Sequence, residues 1–194
     1  MDSASIDAAR CAVLSMDLQA GIVSVYAKDN ETLIRQASSV LDRARAAGIT
    51  VIHVRVAFRP GLPEVSDRNQ LFSAIKGSPK HQQFFEGESG AIHPALSPKK
   101  NDLVVSKSRI NAFTGTDLNL ILRAKGIDTV VLFGIATSGV VLATLLHASD
   151  ADYRVIVIKD CCADLDQELH QSLIEKLFQR HASVWTSEEL MAAL

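Results

Sequence analysis

Short apolar runs rich in valine and isoleucine recur along the chain, and they predict six β-strands. The runs lie at 11–17, 49–56, 102–107, 128–133 and 153–160, with a weaker one at 182–185. Most of these runs are apolar at successive positions rather than at alternate ones. This pattern is typical of strands that are buried on both faces of a parallel sheet.

Apolar residues repeat at helical spacing in most of the intervening segments, which predicts helices between the strands. These segments are 31–48, 116–126, 138–149, 166–181 and 187–194. Gly48 and Gly126 mark predicted helix ends, whereas Thr116 and Ser187 are predicted amino-terminal caps. The alternation predicts an α/β fold, a three-layer α/β/α Rossmann-like sandwich with a six-stranded parallel sheet.

One long segment, 57–101, interrupts this alternation. It contains all five prolines of the chain and a single short helix candidate at 66–75. Connections of this length inside a compact domain usually carry function. We therefore expect a lid or a binding loop here.

Composition and charge narrow the class of protein. The 194 residues are 47% hydrophobic and 22% charged, which predicts one globular domain over 1–194. The formal net charge is −2 and no basic stripe is present, so no nucleic-acid partner is expected. No apolar run approaches the roughly 20 residues that span a bilayer, so no membrane partner is expected. Neither the polar first residues nor the three cysteines, Cys11, Cys161 and Cys162, favour secretion, so we expect a cytoplasmic location.

Ionisable residues stand where the predicted strands end, and ligands of open parallel sheets bind at those ends. Asp17 ends the first strand, and it either exchanges protons at a raised pKa or caps the next turn. Lys107 ends the third strand, and it either pairs with a carboxylate at a nearby strand end or reaches solvent. Arg55 and Arg109 lie close to these ends as well.

The turn GIATSG at 134–139 follows the fourth strand and precedes a predicted helix. Its free backbone N–H groups favour negative charge, so it is either an oxyanion or carboxylate site or a plain tight turn. Val140 and Val141 replace the Lys and Ser/Thr of a phosphate-binding loop. Cys161 and Cys162 follow the predicted fifth strand without a nearby base, which favours buried apolar roles. The histidines show no ligand spacing, so neither a metal nor another cofactor is expected.

Three sequence blocks in this order resemble the isochorismatase-like hydrolase family, also called the cysteine hydrolase family. They are VLSMDLQAGI at 13–22, the pattern K-x-R-x-x-A-F-x-G-T-x-L from Lys107, and G-x-x-T-x-x-x-V from Gly134. The resemblance extends over nearly the whole chain. It implies a catalytic Asp–Lys–Cys set, in which Asp17 and Lys107 match but Val140 stands at the position of the nucleophilic cysteine.

The same resemblance extends the expected site around Asp17 and Lys107. It also implies a cis peptide bond between Ile135 and Ala136. The expected substrate-binding residues are Gln19, Arg55, Arg109, Phe113, Ile135, Ala136, Thr137 and Gly139.

A valine cannot attack a carbonyl group, so the resemblance leaves three functions open. The first is a hydrolase without a thiol that acts on a small anionic molecule, with Asp17 protonating a vinyl ether. The second is an amide hydrolase in which Asp17 activates water, and the third is an inactive binding protein. The resemblance also implies a homodimer or homotetramer.

Overall fold

A computed structural model describes residues 6–27 and 31–194 of the chain. It contains a six-stranded sheet in the order β3-β2-β1-β4-β5-β6, with every neighbouring pair parallel. The strands are β1 (Cys11–Met16), β2 (Thr50–Val56), β3 (Leu103–Lys107), β4 (Thr129–Ile135), β5 (Arg154–Ala163) and β6 (Ser183–Trp185). All six predicted strands are therefore confirmed, together with the α/β sandwich.

Helices cover both faces of the sheet. They are α1 (Ala20–Tyr26), α2 (Glu31–Ala46), α3 (Gln70–Lys76), α4 (Pro79–Gln82), α5 (Leu118–Ala124), α6 (Leu142–Asp150), α7 (Gln167–Ser172) and α8 (Ser187–Ala193). An irregular helical turn, Thr137–Val141, in which Gly139 has φ and ψ outside the helical range, leads into α6. Helix α7 continues through Leu173–Leu177 to Phe178–Arg180. Helices α2 and α8 contact each other on one face, while right-handed crossovers place α5 and α6 on the other.

The two central strands form the middle of the core. Every residue of β1 and of β4 is buried. Gly134 allows these strands to approach closely at their carboxyl ends, because a Cβ atom there would lie 2.0 Å from the Met16 carbonyl oxygen. Its φ of +147° also lies outside the range that side chains favour.

Two sequence-based predictions about local structure are wrong. Cys161 and Cys162 lie inside β5 rather than after it, because an irregularity in the β4–β5 pairing lets the strand continue to Ala163. Thr186, not Ser187, caps α8, and it forms a capping box with Glu189. Ser187 instead donates from its backbone N–H and its hydroxyl to Asp160.

The cap of α5 also differs from the prediction in detail. The helix begins at Leu118, and the preceding Asp117 makes no capping hydrogen bond with its side chain. The Thr116 hydroxyl nevertheless accepts a hydrogen bond from the Leu118 N–H at 3.3 Å. Thr116 therefore supports the start of the helix from one residue further away.

The segment 57–101 folds over the carboxyl ends of the strands. Leu62, Val65 and Phe72 form a small apolar cluster of their own, against which Phe58 packs. The Phe58 ring also meets the Phe85 ring edge to face, with centroids 5.6 Å apart. The segment is therefore an ordered cover with its own core.

Gln19 connects this cover to the sheet through hydrogen bonds of its side chain. Its side-chain amide donates to the carbonyl oxygens of Val56 and Gly90, at 3.1 and 2.9 Å. Its side-chain carbonyl oxygen accepts from the Val56 N–H at 2.7 Å.

Within the described residues, no helix is long and apolar enough to cross a membrane.

Candidate active site

The candidate site lies where the strand order reverses. β1 pairs with β2 on one side and with β4 on the other, and such switch points are where ligands bind in open parallel sheets. Asp17 directly follows β1, the turn at Ile135 ends β4, and Lys107 ends β3. The fold thus brings together three segments that are distant in sequence.

Asp17 and Lys107 form a buried ion pair. Lys107 Nζ donates to Asp17 Oδ2 at 2.7 Å and to the Arg109 carbonyl oxygen at 3.0 Å. The exposed fractions of the two side chains are only 7% for Asp17 and 1% for Lys107. The prediction that Lys107 pairs with a carboxylate at a nearby strand end is confirmed, and the solvent-facing alternative is wrong.

The two carboxylate oxygens of Asp17 differ in their hydrogen bonding. Asp17 Oδ1 is buried and has no hydrogen-bond partner among the described residues. Asp17 therefore does not cap the following helix, which begins after Gln19 without a capping hydrogen bond from a side chain. The backbone of Asp17 adopts a φ of +55°, which is uncommon for a residue other than glycine. Residues with such uncommon backbone conformations cluster at functional sites.

Burial raises the pKa of Asp17 above its ordinary value, although the charge and hydrogen bond of Lys107 act in the opposite direction. The cause is that the low-dielectric surroundings penalise the charged carboxylate. The carboxyl group is therefore better able to hold a proton near neutrality than an exposed aspartate is.

A cavity of about 180 Å³ adjoins the ion pair. Asp17 and Lys107 line it together with Ile135, Ala136 and Gly139 from the β4 turn. The remaining side chains are mostly apolar: Ile22, Tyr26, Val56, Leu71, Phe72, Ile75, Phe85, Ile110 and Val140. Of the described residues that line this cavity, only Asp17 and Lys107 carry charge.

Val140 contributes to this lining although it is only 2% exposed. The structure thus brings the position matched to the family's nucleophile into the same cavity as Asp17 and Lys107. The residue present there has no group that can act as a nucleophile, acid or base.

The β4 turn has the predicted backbone but uses much of its hydrogen-bonding capacity internally. The Ile135–Ala136 peptide bond is cis, as expected from the resemblance. The Gly139 and Val141 N–H groups donate to the Ala136 carbonyl oxygen. These donors are therefore already engaged within the turn.

A carboxylate of the protein already occupies the start of this helical turn. Asp164 Oδ2 accepts from both the backbone N–H and the hydroxyl of Ser138, each at 2.7 Å. Because Asp164 already places a negative charge beside the Ser138 N–H, it reduces the attraction for a substrate carboxylate here. The structure favours the plain-turn interpretation at Ser138.

Thr137 lies behind the turn and outside the cavity lining. It is fully buried, and its hydroxyl lies 3.2 Å from the Ala163 carbonyl oxygen and 2.8 Å from His170 Nδ1. Thr137 is therefore placed to hold the turn against β5 and α7. It does not line the cavity beside Asp17.

Four other expected substrate-binding residues also lie outside the cavity lining. Both side-chain N–H donors of Gln19 are engaged by backbone oxygens, as described above. Arg55 donates to the Ser106 hydroxyl, and Arg109 donates to two backbone oxygens, those of Ser108 and Glu64. The ring of Phe113 stacks on that of His147, with centroids 4.4 Å apart.

The three cysteines are free and buried, as expected. Burial raises the pKa of Cys11 and of Cys162 to about 12, and it also raises the pKa of Cys161. A thiol with such a pKa is almost entirely protonated near neutral pH and is a poor nucleophile. None of the three lines the cavity at Asp17.

Sequence reasoning missed the residues that cover the site. Leu71, Phe72, Ile75 and Phe85 all come from the segment 57–101. The proline content and length of this segment suggested a binding loop, but nothing in the pattern identified which apolar side chains face Asp17. No group of three or more histidine, cysteine or acidic side chains in the described part of the chain is arranged to hold a metal ion.

Comparisons with known protein sequences find relatives along most of the chain. The Isochorismatase domain matches residues 11–189. Maleamate amidohydrolase from Pseudomonas putida is 29% identical over 188 residues, covering 94% of this chain and 86% of that protein. The uncharacterized isochorismatase family protein YwoC from Bacillus subtilis is 31% identical over 198 residues, covering 98% and 97%.

Solved structures show the same relationship. An isochorismatase family protein from Burkholderia thailandensis superposes with a TM-score of 0.82 at 28% identity, covering 98% of this chain and 97% of that one. The chain therefore belongs to the isochorismatase family of hydrolases.

Proposed function

We propose that this chain hydrolyses a small molecule without a thiol nucleophile, with Asp17 as the general acid and base and Lys107 as its partner. One observation carries the proposal: Asp17 Oδ1 has no hydrogen-bond partner among the described residues, while Lys107 holds Oδ2. A carboxyl group anchored through one oxygen keeps the other available for proton transfer to a bound molecule.

The residue at position 140 supports the thiol-free part of the proposal. Val140 lines the cavity where the family's nucleophile would stand. The cysteines of the chain are buried elsewhere, and burial raises their pKa values far above neutrality. Water is therefore the nucleophile that this chemistry requires.

Vinyl ether hydrolysis suits a protonated Asp17. The carboxylic acid donates its proton to the vinyl carbon, which leaves an oxocarbenium ion. Water adds to that ion and returns a proton to the Asp17 carboxylate, and the resulting hemiketal breaks down to a ketone and an alcohol. The raised pKa of Asp17 supports this first step, because a larger fraction of the acid is protonated near neutral pH.

Amide hydrolysis is the second candidate, and the name of one relative favours it. Maleamate amidohydrolase acts on an amide and matches 94% of this chain. In this case ionised Asp17 removes a proton from water as the water oxygen attacks the amide carbonyl. Asp17 then returns this proton to the amide nitrogen, the C–N bond breaks, and a carboxylic acid and an amine or ammonia leave. An ammonium group has three N–H donors and Lys107 uses two of them in the protein, so one remains for the substrate oxygen.

The charge expected for the substrate receives less support. Arg55 and Arg109 lie outside the cavity lining, and Asp164 occupies the start of the helical turn after β4. Lys107 is the one cation among the described lining residues, and Asp17 already balances it. The proposal therefore does not require an anionic group on the substrate at this end of the site.

Two further properties are part of the proposal, the oligomeric state and the location in the cell. Self-association as a homodimer or homotetramer follows from the family resemblance, and a solution mass above 21.0 kDa would support it. A cytoplasmic setting agrees with three cysteines that are all free. Light scattering of the purified protein tests the first property.

A turnover screen with purified protein tests the function. It pairs isochorismate with a panel of small amides and includes an Asp17→Asn variant. Turnover of either substrate class that falls at least about 100-fold in the variant would support the proposal, because acid–base groups typically contribute factors of this size or more. An unchanged rate in the variant, or no turnover of the whole panel, would contradict it.

A further inference from the structure

A second space adjoins the cavity at Asp17. It is a groove of about 450 Å³, and five residues line both spaces: Ile22, Tyr26, Leu71, Ile75 and Phe85. Four of these five side chains are apolar. The two spaces therefore share a largely apolar wall.

The groove is lined mainly by apolar side chains, and several of them are exposed. The exposed fractions are 42% for Val25, 52% for Leu71 and 61% for Leu165. The ionisable side chains other than Tyr26 in this lining are Lys80 and His81, both on the exposed turn of α4. Exposed apolar residues that cluster in a groove mark binding surfaces more often than isolated ones do.

The volumes of the two spaces indicate how large a substrate the site accepts. The cavity at Asp17 has a volume of about 180 Å³. Small-molecule sites usually span about 300–1,000 Å³, so this cavity alone is small. With the groove beside it, the site reaches the usual range.

We infer that the substrate is an extended molecule with its hydrolysable bond at Asp17 and an apolar body in the groove. This inference rests on the proposed function, since it assigns the reacting end to Asp17. Three observations support it: the shared wall of the two spaces, the apolar groove lining, and the small size of the inner cavity. Burial of the apolar body supplies the affinity that the few polar groups of the inner cavity lack.

A homologous series of probes tests the groove without requiring turnover. Straight-chain primary alcohols from propanol to octanol carry a hydroxyl that is able to donate to Asp17 Oδ1, and nuclear magnetic resonance titration measures their Kd. We expect Kd to fall by about fourfold for each added methylene until the groove is filled. Ala74→Trp fills the groove from an exposed position on α3 and should remove this dependence. Ala46→Trp, at the exposed end of α2, is the matched control and should preserve it.

The other outcomes show whether this inference or the proposed function is wrong. A Kd that is independent of chain length, or an equal slope in Ala74→Trp and Ala46→Trp, would overturn the inference. An Ala74→Trp protein that changes its mass in solution but not its slope would also overturn it, because the groove would then be an interface between copies. If Kd does not change with the chain length of the alcohol but the protein shows turnover that depends on Asp17, this inference alone is contradicted. A steep series without any turnover contradicts the proposed function and leaves the groove only as a binding site for an apolar chain.

Discussion

Lys107 binds only one of the two carboxylate oxygens of Asp17, at 2.7 Å. The other oxygen, Oδ1, is buried without a hydrogen-bond partner among the described residues. Leaving a buried polar atom unpaired is costly, so native structures usually avoid it unless the group has a function. The pair therefore has two separable properties, a contribution to stability through Oδ2 and a proposed chemical role through Oδ1.

The first prediction concerns the stability of this pair. Asp17→Asn leaves a buried ammonium and Lys107→Met leaves a buried carboxylate, so each should lower the free energy of unfolding by about 3–5 kcal/mol. The double variant should cost less than the sum of the two single changes, because neither charge then remains unpaired. Urea denaturation of the four proteins measures this difference.

An exposed ion pair supplies the control for that cycle. Arg10 and Asp128 lie 2.6 Å apart with side chains 59% and 48% exposed. Asp128→Asn should change the free energy of unfolding by no more than about 1 kcal/mol, because solvent screens such pairs. Additive effects of Asp17→Asn and Lys107→Met would show that the buried pair contributes no coupling.

The second prediction concerns the pH dependence of activity. Burial raises the pKa of Asp17, and Lys107 opposes that rise, so Lys107→Met should raise the pKa further. If protonated Asp17 is the acid, activity falls as the pH rises through this pKa. The falling limb of kcat/KM against pH should therefore lie at higher pH in Lys107→Met than in the native protein. A limb that stays in place or moves to lower pH would count against Asp17 as the acid.

The third prediction concerns Gln19. Its amide makes three buried hydrogen bonds to Val56 and Gly90, and each such bond contributes about 1 kcal/mol. Gln19→Ala should therefore lower the free energy of unfolding by about 2–4 kcal/mol in a denaturant titration. Gln82→Ala removes a partly exposed amide bonded to α3 carbonyl oxygens, and should cost no more than about 1 kcal/mol. If both variants lowered the free energy of unfolding equally, this would contradict the proposal that Gln19 holds the segment 57–101 against the sheet.

The fourth prediction concerns stability at mildly acidic pH. His53 is 1% exposed, and Nε2 lies 3.3 Å from Asp102 Oδ2. Burial lowers the pKa of His53, while Asp102 acts in the opposite direction. The unfolded chain therefore takes up a proton more readily than the folded one. The contribution of His53 is fully present above its unfolded pKa of about 6.5, and it is lost as the pH falls through the lower folded value.

Thermal unfolding of a variant measures this contribution. His53→Gln should show a smaller fall in Tm between pH 8 and pH 5 than the native protein does. His181→Gln, at an exposed position, should follow the native protein. If all three proteins lose Tm in parallel, His53 does not limit stability in this range.

The strands, and the ionisable residues at their carboxyl ends, could be predicted from the sequence for a physical reason. Strands such as β1 and β4 are buried on both faces, so their sequences are continuously apolar and easy to recognise. Asp17 and Lys107 stand out because each ends such a run. In contrast, α1 was missed because AGIVSVY contains a glycine and three β-branched residues, which do not favour a helix.

The contacts that the sequence did not predict depend on partners far away in the sequence. Gln19 meets Gly90 across 71 residues, and Arg109 meets Glu64 across 45. A motif shows that such a residue is present but does not show which backbone oxygens its donors reach. Likewise, the continuation of β5 through Cys161 arises from its irregular pairing with β4, which local propensity does not encode.

The most direct test of thiol-free chemistry compares two enzymes on the substrate that the screen identifies. One carries alanine at Cys11, Cys161 and Cys162, and the other carries Asp17→Asn. Since the three thiols lie outside the cavity lining, the cysteine-free enzyme should retain kcat within about threefold of the native value. Asp17→Asn should lose at least about 100-fold. A folded cysteine-free enzyme without activity, beside an active Asp17→Asn enzyme, would contradict the account.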